Sequence, residues 1–192
     1  MKNAFILSFS VLLLMGCGTQ KQAVQTSSDS SALTRVDDRD RAVRSNVPEV
    51  GKLMAPFREM GMDGKVWTNL DLDGHVSVFY LWYQGCTDAL SEMGELAIWK
   101  QMYPDVQFFS VTWHDVATTV RLAKQYHFTW IPLANATQMI SWINQGVGGK
   151  SPSPGNYPVT IVVDQQGFVR RAVRGTDMQT RQETLRCIQQ LR

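Results

Sequence analysis

From about Val47 onward the chain switches between two apolar periods, and the switches outline one α/β domain. Val76 to Trp82 is apolar apart from Ser77 and dominated by β-branched and aromatic residues, which predicts a strand buried on both faces. Asp88 to Met102 follows with Leu90, Met93 and Leu96 or Ala97 at helical spacing. Val106 to Thr112 is the next predicted strand, Val116 to Tyr126 the next helix, and Thr137 to Asn144 a short helix. Val159 to Val163 and Phe168 to Val173 flank Asp164-Gln165-Gln166-Gly167, the pattern of a hairpin. Met178 to Leu191 closes the chain as an amphipathic helix. Upstream, Lys65 to Asn69 predicts a short strand and Asp71-Leu72-Asp73-Gly74 a turn. The order is strand, helix, strand, helix, strand, strand, helix. It predicts an α/β fold with a central mixed β-sheet and helices on both faces. Cys86 then falls just past the carboxyl end of a central strand, where open α/β sheets meet their ligands.

The first residues follow another pattern. Lys2 supplies a short positive region, and Ala4 to Met15 is apolar apart from two serines. That run is shorter than the roughly 20 residues a spanning helix needs. Leu14-Met15-Gly16-Cys17 resembles a bacterial lipobox, which is cut before a cysteine carrying a diacylglyceryl group. The resemblance implies a lipoprotein signal peptide over 1–16 and acyl chains such as palmitate on Cys17, replacing the lost apolar anchor. An ordinary secretory signal is the alternative. Residues 17–46 are rich in Ser, Thr, Gln, Asp and Arg without a sustained apolar period, which predicts a flexible tether ahead of a domain over 47–192. The expected location is the bacterial cell envelope, with the domain outside the cytoplasm and bound to a lipid membrane through Cys17.

Charge narrows the partners. Without Lys2 the chain carries 18 basic and 17 acidic side chains, a net charge of +1, too weak a field to suggest a nucleic-acid partner. Cysteine usage removes a disulfide scaffold: with Cys17 acylated, Cys86 and Cys187 remain, in a compartment that would permit them to join. His75, His114 and His127 form no recognisable ligand spacing, so no metal and no other cofactor is expected.

Cys86 carries the candidate chemistry. It stands between a buried strand and a helix N-terminus, whose partial positive charge favours the reactive thiolate. No second cysteine follows at Cys-x-x-Cys spacing, because Ala89 occupies that position.

Here the chain resembles the thioredoxin superfamily, specifically its exported or membrane-attached redoxins, over roughly Ala55 to the C-terminus. Asn69 to Trp82 looks like their approach to the central strand, with Trp82 matching the aromatic residue four places before the first active cysteine, and Cys86 matching that cysteine. Tyr157-Pro158-Val159-Thr160-Ile161-Val162-Val163-Asp164 looks like their proline loop and following strand. The resemblance implies a thioredoxin-like fold, a nucleophile at Cys86, a cis Pro158 facing it, and a client groove shaped by Trp82, Tyr157 and Pro158. An exported protein or a small thiol is the implied partner.

The departures matter equally. Ala89 removes the internal thiol that would release a mixed disulfide. Cys86-Thr87-Asp88 resembles the start of a copper-chaperone signature, but Leu90 stands at its second cysteine position and no ligand set is assignable. Peroxidatic redoxins carry a threonine where Tyr83 stands, although Arg170, Arg171 and Arg174 would supply positive charge if they converged. Tyr80 occupies the interior position that holds an acid in many redoxins, which argues against efficient proton movement. Gly85 replaces the bulky aromatic that often precedes the cysteine. Cys187 lies about ten residues into the last helix and shares a face with Leu185, Ile188 and Leu191, which favours a packing role over release of an adduct at Cys86. Trp113, Trp130, Trp142, Tyr103, Tyr126 and Phe128 are read mainly as packing. The loop Gly146 to Asn156 is the candidate specificity element, and Asp164 is read as a turn former. The readings left open are single-cysteine thiol-disulfide exchange, a non-catalytic client-binding module, and, less supported, a thiol peroxidase.

Overall fold

The computed structural model describes residues 48–145 and 157–192. The predicted signal peptide, the tether and the loop Gly146 to Asn156 lie outside them. Val76 to Trp82 forms the middle of the molecule as predicted. Strand β3 (Ser77–Leu81) is buried at every position because both of its faces are covered. It pairs in parallel with β4 (Gln107–Val111) and antiparallel with β6 (Val159–Val163). β5 (Ile131–Leu133) joins the outer side of β4, and β7 (Val169–Arg174) joins β6, giving the order β5-β4-β3-β6-β7. The mixed sheet expected from the element order is therefore present. Its parallel half comes from the strands linked by helices, and its antiparallel half from the hairpin.

Period-two alternation along β3 builds two separate cores. Phe79 and Leu81 point to one face with Phe109, Val111, Ile161 and Val163, under helix α3 (Thr137–Gln145). Val78, Tyr80 and Trp82 point to the other, under α1 (Thr87–Met102), α2 (Val116–Gln125) and α4 (Met178–Leu191). The hairpin turn is made by Asp164, whose Oδ1 accepts from the amides of Gln166 and Phe168 at 3.0 and 2.9 Å. Gly167 follows at φ +86°, a conformation that suits glycine. Asp164 thus shapes the turn.

Two elements differ from the sequence reading. The strand predicted at Lys65 to Asn69 is β2 (Val66–Thr68), and it pairs with β1 (Arg58–Met60) in a separate two-stranded sheet. That hairpin helps cover the α3 side, with Phe57 and Trp67 in its core. β5 was not predicted. It spans three residues with Pro132 at its centre, and it survives because an edge strand does not need that N–H. The Pro132 carbonyl instead accepts the Met62 amide at 3.1 Å.

Candidate functional site

Past Leu81 the chain makes a short link, Trp82 to Cys86, before α1 begins. The Cys86 N–H donates to the Tyr83 carbonyl at 3.0 Å, closing a tight turn, and the Leu90 N–H donates to the Cys86 carbonyl at 3.1 Å. Cys86 is therefore the N-cap of α1, where its place in the sequence put it. The thiol itself departs from expectation. Its residue is 7% exposed and belongs to the buried cluster that also holds Tyr80, Trp82, Ala89 and Leu90. Burial pushes the Cys86 thiol up from its ordinary value, and the charges of Asp88 and Glu92 add to the rise. The amides of Ala89 and Asp88 oppose it without overcoming it. A helix terminus stabilises a thiolate only if water or enough donors also reach the sulfur, and here the desolvation cost is larger. The free-thiolate expectation is corrected on that ground.

Beneath the cysteine lies a polar cluster that the sequence reading missed. The Tyr80 hydroxyl donates to Glu92 Oε2 at 2.8 Å and is 3.4 Å from the Ala89 carbonyl. Arg181 of α4 approaches Glu92 Oε1 at 3.6 Å and binds Glu95 Oε2 at 2.9 Å. Burial holds the Glu92 carboxyl above the usual carboxylate range, against the pull of Tyr80 and Arg181. Tyr80 is pushed well above an ordinary phenol, first by burial and then by Glu92. A buried acid, contributed by α1, thus lies against Tyr80. The signal was available: Glu92 falls on the same helical face as Ala89, Met93 and Leu96, where a charge needs a partner.

Above the cysteine the aromatic residues sort into two groups. Trp82, expected as a groove wall, is 1% exposed, and its Nε1 donates to Ser110 Oγ at 2.7 Å. It is core, because directly after β3 it continues the strand's alternation toward the face that carries α1. Trp130, Phe128 and Tyr103 are core as well. The partly buried rings at this end are Tyr83, Trp113 and Tyr157. Tyr83 stacks on Trp113 at 5.3 Å between centroids, and Tyr157 meets both edge-on at 5.7 and 5.3 Å. Gly85 makes this possible, since a Cβ there would come within 2.6 Å of the Tyr83 ring. Its small size makes room for a neighbour's ring as well as removing the usual aromatic. The Tyr157–Pro158 peptide is cis, as the resemblance implied. The register of β3 with β6, pairing Leu81 with Val159, places Pro158 at the Cys86 end of the sheet.

The remaining candidates separate. Arg170 pairs with Asp164 at the opposite end of the hairpin, and Arg171 binds Glu183 at 2.9 Å. Arg174 alone of the three sits beside Val159, at the Cys86 end. The positive cluster that a peroxidatic site would need is not assembled by these arginines. Cys187 is half-buried against the α4 side of the core with Leu185, Ile188 and Leu191, and both it and Cys86 are free thiols. Burial raises the Cys187 thiol, with Arg171 and Arg170 opposing. Among the described residues no three His, Cys, Asp or Glu side chains gather to hold a metal ion, and no helix is long and apolar enough to cross a membrane.

Comparison with known proteins places this geometry. No family model matches the chain, and no curated protein matches it in sequence. Solved structures do. A thiol:disulfide interchange protein of the thioredoxin family from Chlorobium tepidum TLS superposes with a TM-score of 0.60 at 15% identity, over 75% of this chain and 97% of that one. The dsbF protein of MTB, in mixed oxidised and reduced forms, gives 0.57 at 22% identity, over 71% and 95%. A secreted Mycobacterium tuberculosis disulfide oxidoreductase homologous to E. coli DsbE gives 0.53 at 16% identity, over 70% and 96%. The domain therefore has the thioredoxin-like fold.

Proposed function

We propose that this is a lipid-anchored thioredoxin-like protein of the bacterial cell envelope, and that Cys86 undertakes single-cysteine exchange with a disulfide of an exported protein or a small thiol. The observation that carries the reading is the placement of Cys86 and Pro158 at the same end of the paired strands β3 and β6, with the buried Tyr80–Glu92 pair nearby. The similarity to thiol-disulfide interchange proteins and a secreted disulfide oxidoreductase supports it. In the exchange the Cys86 thiol gives up its proton and the sulfur attacks one sulfur of the client disulfide. That bond breaks, a Cys86–client disulfide forms, and the second client sulfur leaves as thiolate. No electrons are gained or lost overall. Ala89 offers no internal thiol, so release falls to a thiol of the client or a small molecule in the same exchange run again. Burial makes the unaided thiol a slow nucleophile, so docking of the client must uncover it. Anchoring through acylated Cys17 on the 17–46 tether would keep the domain near the membrane.

One observation favours the second reading, a non-catalytic client-binding module: Cys86 is buried, and burial raises its thiol above the ordinary value. The two are separated by trapping envelope mixed disulfides, with Cys86→Ser and Cys187→Ser controls. Both readings expect Cys86 of the free protein to alkylate with an apparent pKa above the free-thiol value of about 8.5, whereas the exchange reading alone expects client adducts that vanish in Cys86→Ser. Client capture that persists unchanged in Cys86→Ser would overturn it in favour of the binding module. Oxidation of Cys86 by peroxide, faster than by disulfides, would instead point to a peroxidase.

A further inference from the structure

His114 has no part in the exchange as written, yet it touches the loop that carries the cysteine. It lies between β4 and α2, and its backbone is fixed within its own region. Its N–H lies 3.3 Å from Thr112 Oγ1, and its carbonyl accepts from the Asn135 N–H at 2.9 Å. The side chain reaches across instead. Nε2 accepts the Gln84 amide N–H at 2.7 Å. Gln84 is the second residue of the Tyr83–Cys86 turn, whose other closure is the Cys86 N–H on the Tyr83 carbonyl. A ring nitrogen that accepts a hydrogen bond carries no proton, so this is the neutral imidazole with its hydrogen on Nδ1. A second proton would turn Nε2 into a donor facing a donor, and the contact would be lost outright.

We propose that His114 is a positioning residue for Cys86: its neutral ring pins the Tyr83–Cys86 turn and keeps the sulfur in its buried place at the head of α1, and protonation of the ring frees the turn and uncovers the thiol. The proposal regulates the exchange site and rests on that reading of Cys86. The surroundings suit a ring held neutral at rest. Trp82 and Trp113 lie 6.0 and 5.7 Å from it, centroid to centroid. The charged groups acting on it are Asp115, the N-cap of α2, and Arg121 within α2. Burial lowers the His114 pKa, Asp115 raises it and Arg121 lowers it, with burial the largest effect. The Asp115 carboxylate is itself engaged by the Thr118 amide at 2.8 Å and the Thr118 hydroxyl at 3.2 Å. Release of the turn is therefore set below the ordinary histidine value.

The test uses the full-length protein. Nitrogen-15 NMR follows the His114 ring and the Gln84 amide from about pH 8 to about pH 5, the span in which histidine changes charge. In parallel, methyl methanethiosulfonate reports the rate at which Cys86 is modified in the Cys187→Ser background, in wild type and in His114→Gln. Glutamine can still accept through its side-chain oxygen but does not titrate. The expected result is one shared midpoint for His114 and Gln84, with the wild-type rate rising several-fold over that of His114→Gln as pH falls through it. A Gln84 amide that ignores the His114 titration, or identical rate profiles in the two proteins, would overturn the proposal. If His114→Gln fails to fold, the wild-type NMR titration still decides whether the ring and the turn are coupled. If both signals behave as expected while no client disulfide ever joins Cys86, the positioning role stands and the exchange reading is what fails.

Discussion

Each face of the sheet buries one glutamate, and the two are held in opposite ways. Glu59, 7% exposed on the α3 side, accepts the amides of Gln138 and Met139 at 2.9 and 3.1 Å, so its carboxylate caps the first turn of α3. Glu92, 5% exposed on the α1 side, is held by the side chains of Tyr80 and Arg181 and lies under the cysteine. Burial raises both carboxyls. The first is tied to backbone groups that cannot titrate, which makes it architecture. The second is tied to side chains that can change rotamer, next to a thiol whose own ionisation it opposes. A buried acid alone therefore says little about chemistry; the kind of partner it has says much more.

Breaking the structural member of this pair should have the larger effect. Glu59→Ala strands two helix-terminal amides in a buried setting and is expected to cost about 2–3 kcal/mol, read by urea unfolding. Its Cys86 alkylation profile should match wild type. A change in that profile without loss of stability would erase the distinction drawn here.

The functional member should show the reverse. Glu92→Gln removes a negative charge that raises Cys86, so the apparent Cys86 pKa should fall and alkylation at neutral pH should speed up by a small factor. Because both glutamates have folded pKa values raised above the usual 4.5, the folded state binds their protons more readily than the unfolded chain does. Their contribution is fully present below that value and is lost as pH rises through the folded values. Glu59→Gln with Glu92→Gln should accordingly flatten the stability profile above about pH 4.5, followed by thermal or urea unfolding. An unchanged slope would show that neither acid is protonated more readily in the folded protein.

The smallest effect concerns the aromatic residues above the site. Gly85→Ala places a methyl against Tyr83 and should move that ring off Trp113, altering tryptophan fluorescence and the rate of Cys86 alkylation with a stability cost of about 1 kcal/mol. Fluorescence identical to wild type would mean that the Tyr83–Trp113 stack does not depend on the glycine.

The strands β3, β4, β6 and β7, the four helices and the place of Cys86 were legible in the sequence, because buried strands and amphipathic helices write their periods into it. β5 was not, since three residues around Pro132 carry no period and gain their pairing from β4 alone. Trp82 illustrates the limit on side chains. Its spacing from Cys86 marked it as part of the site, but the alternation along β3 turned it into the core.

By itself the sequence determined that Cys86 would head a helix beside a central strand, that Ala89 stands where a Cys-x-x-Cys partner would be, and that Pro158 would directly precede a strand at Val159–Val163. These are local matters of order and spacing. Whether the thiol is charged, where its nearest acid comes from, and which ring pins its turn were decided by the tertiary structure. Desolvation and hydrogen bonding depend on what other segments place around an atom: Glu92 from α1, Arg181 from α4, and His114 from the loop that follows β4.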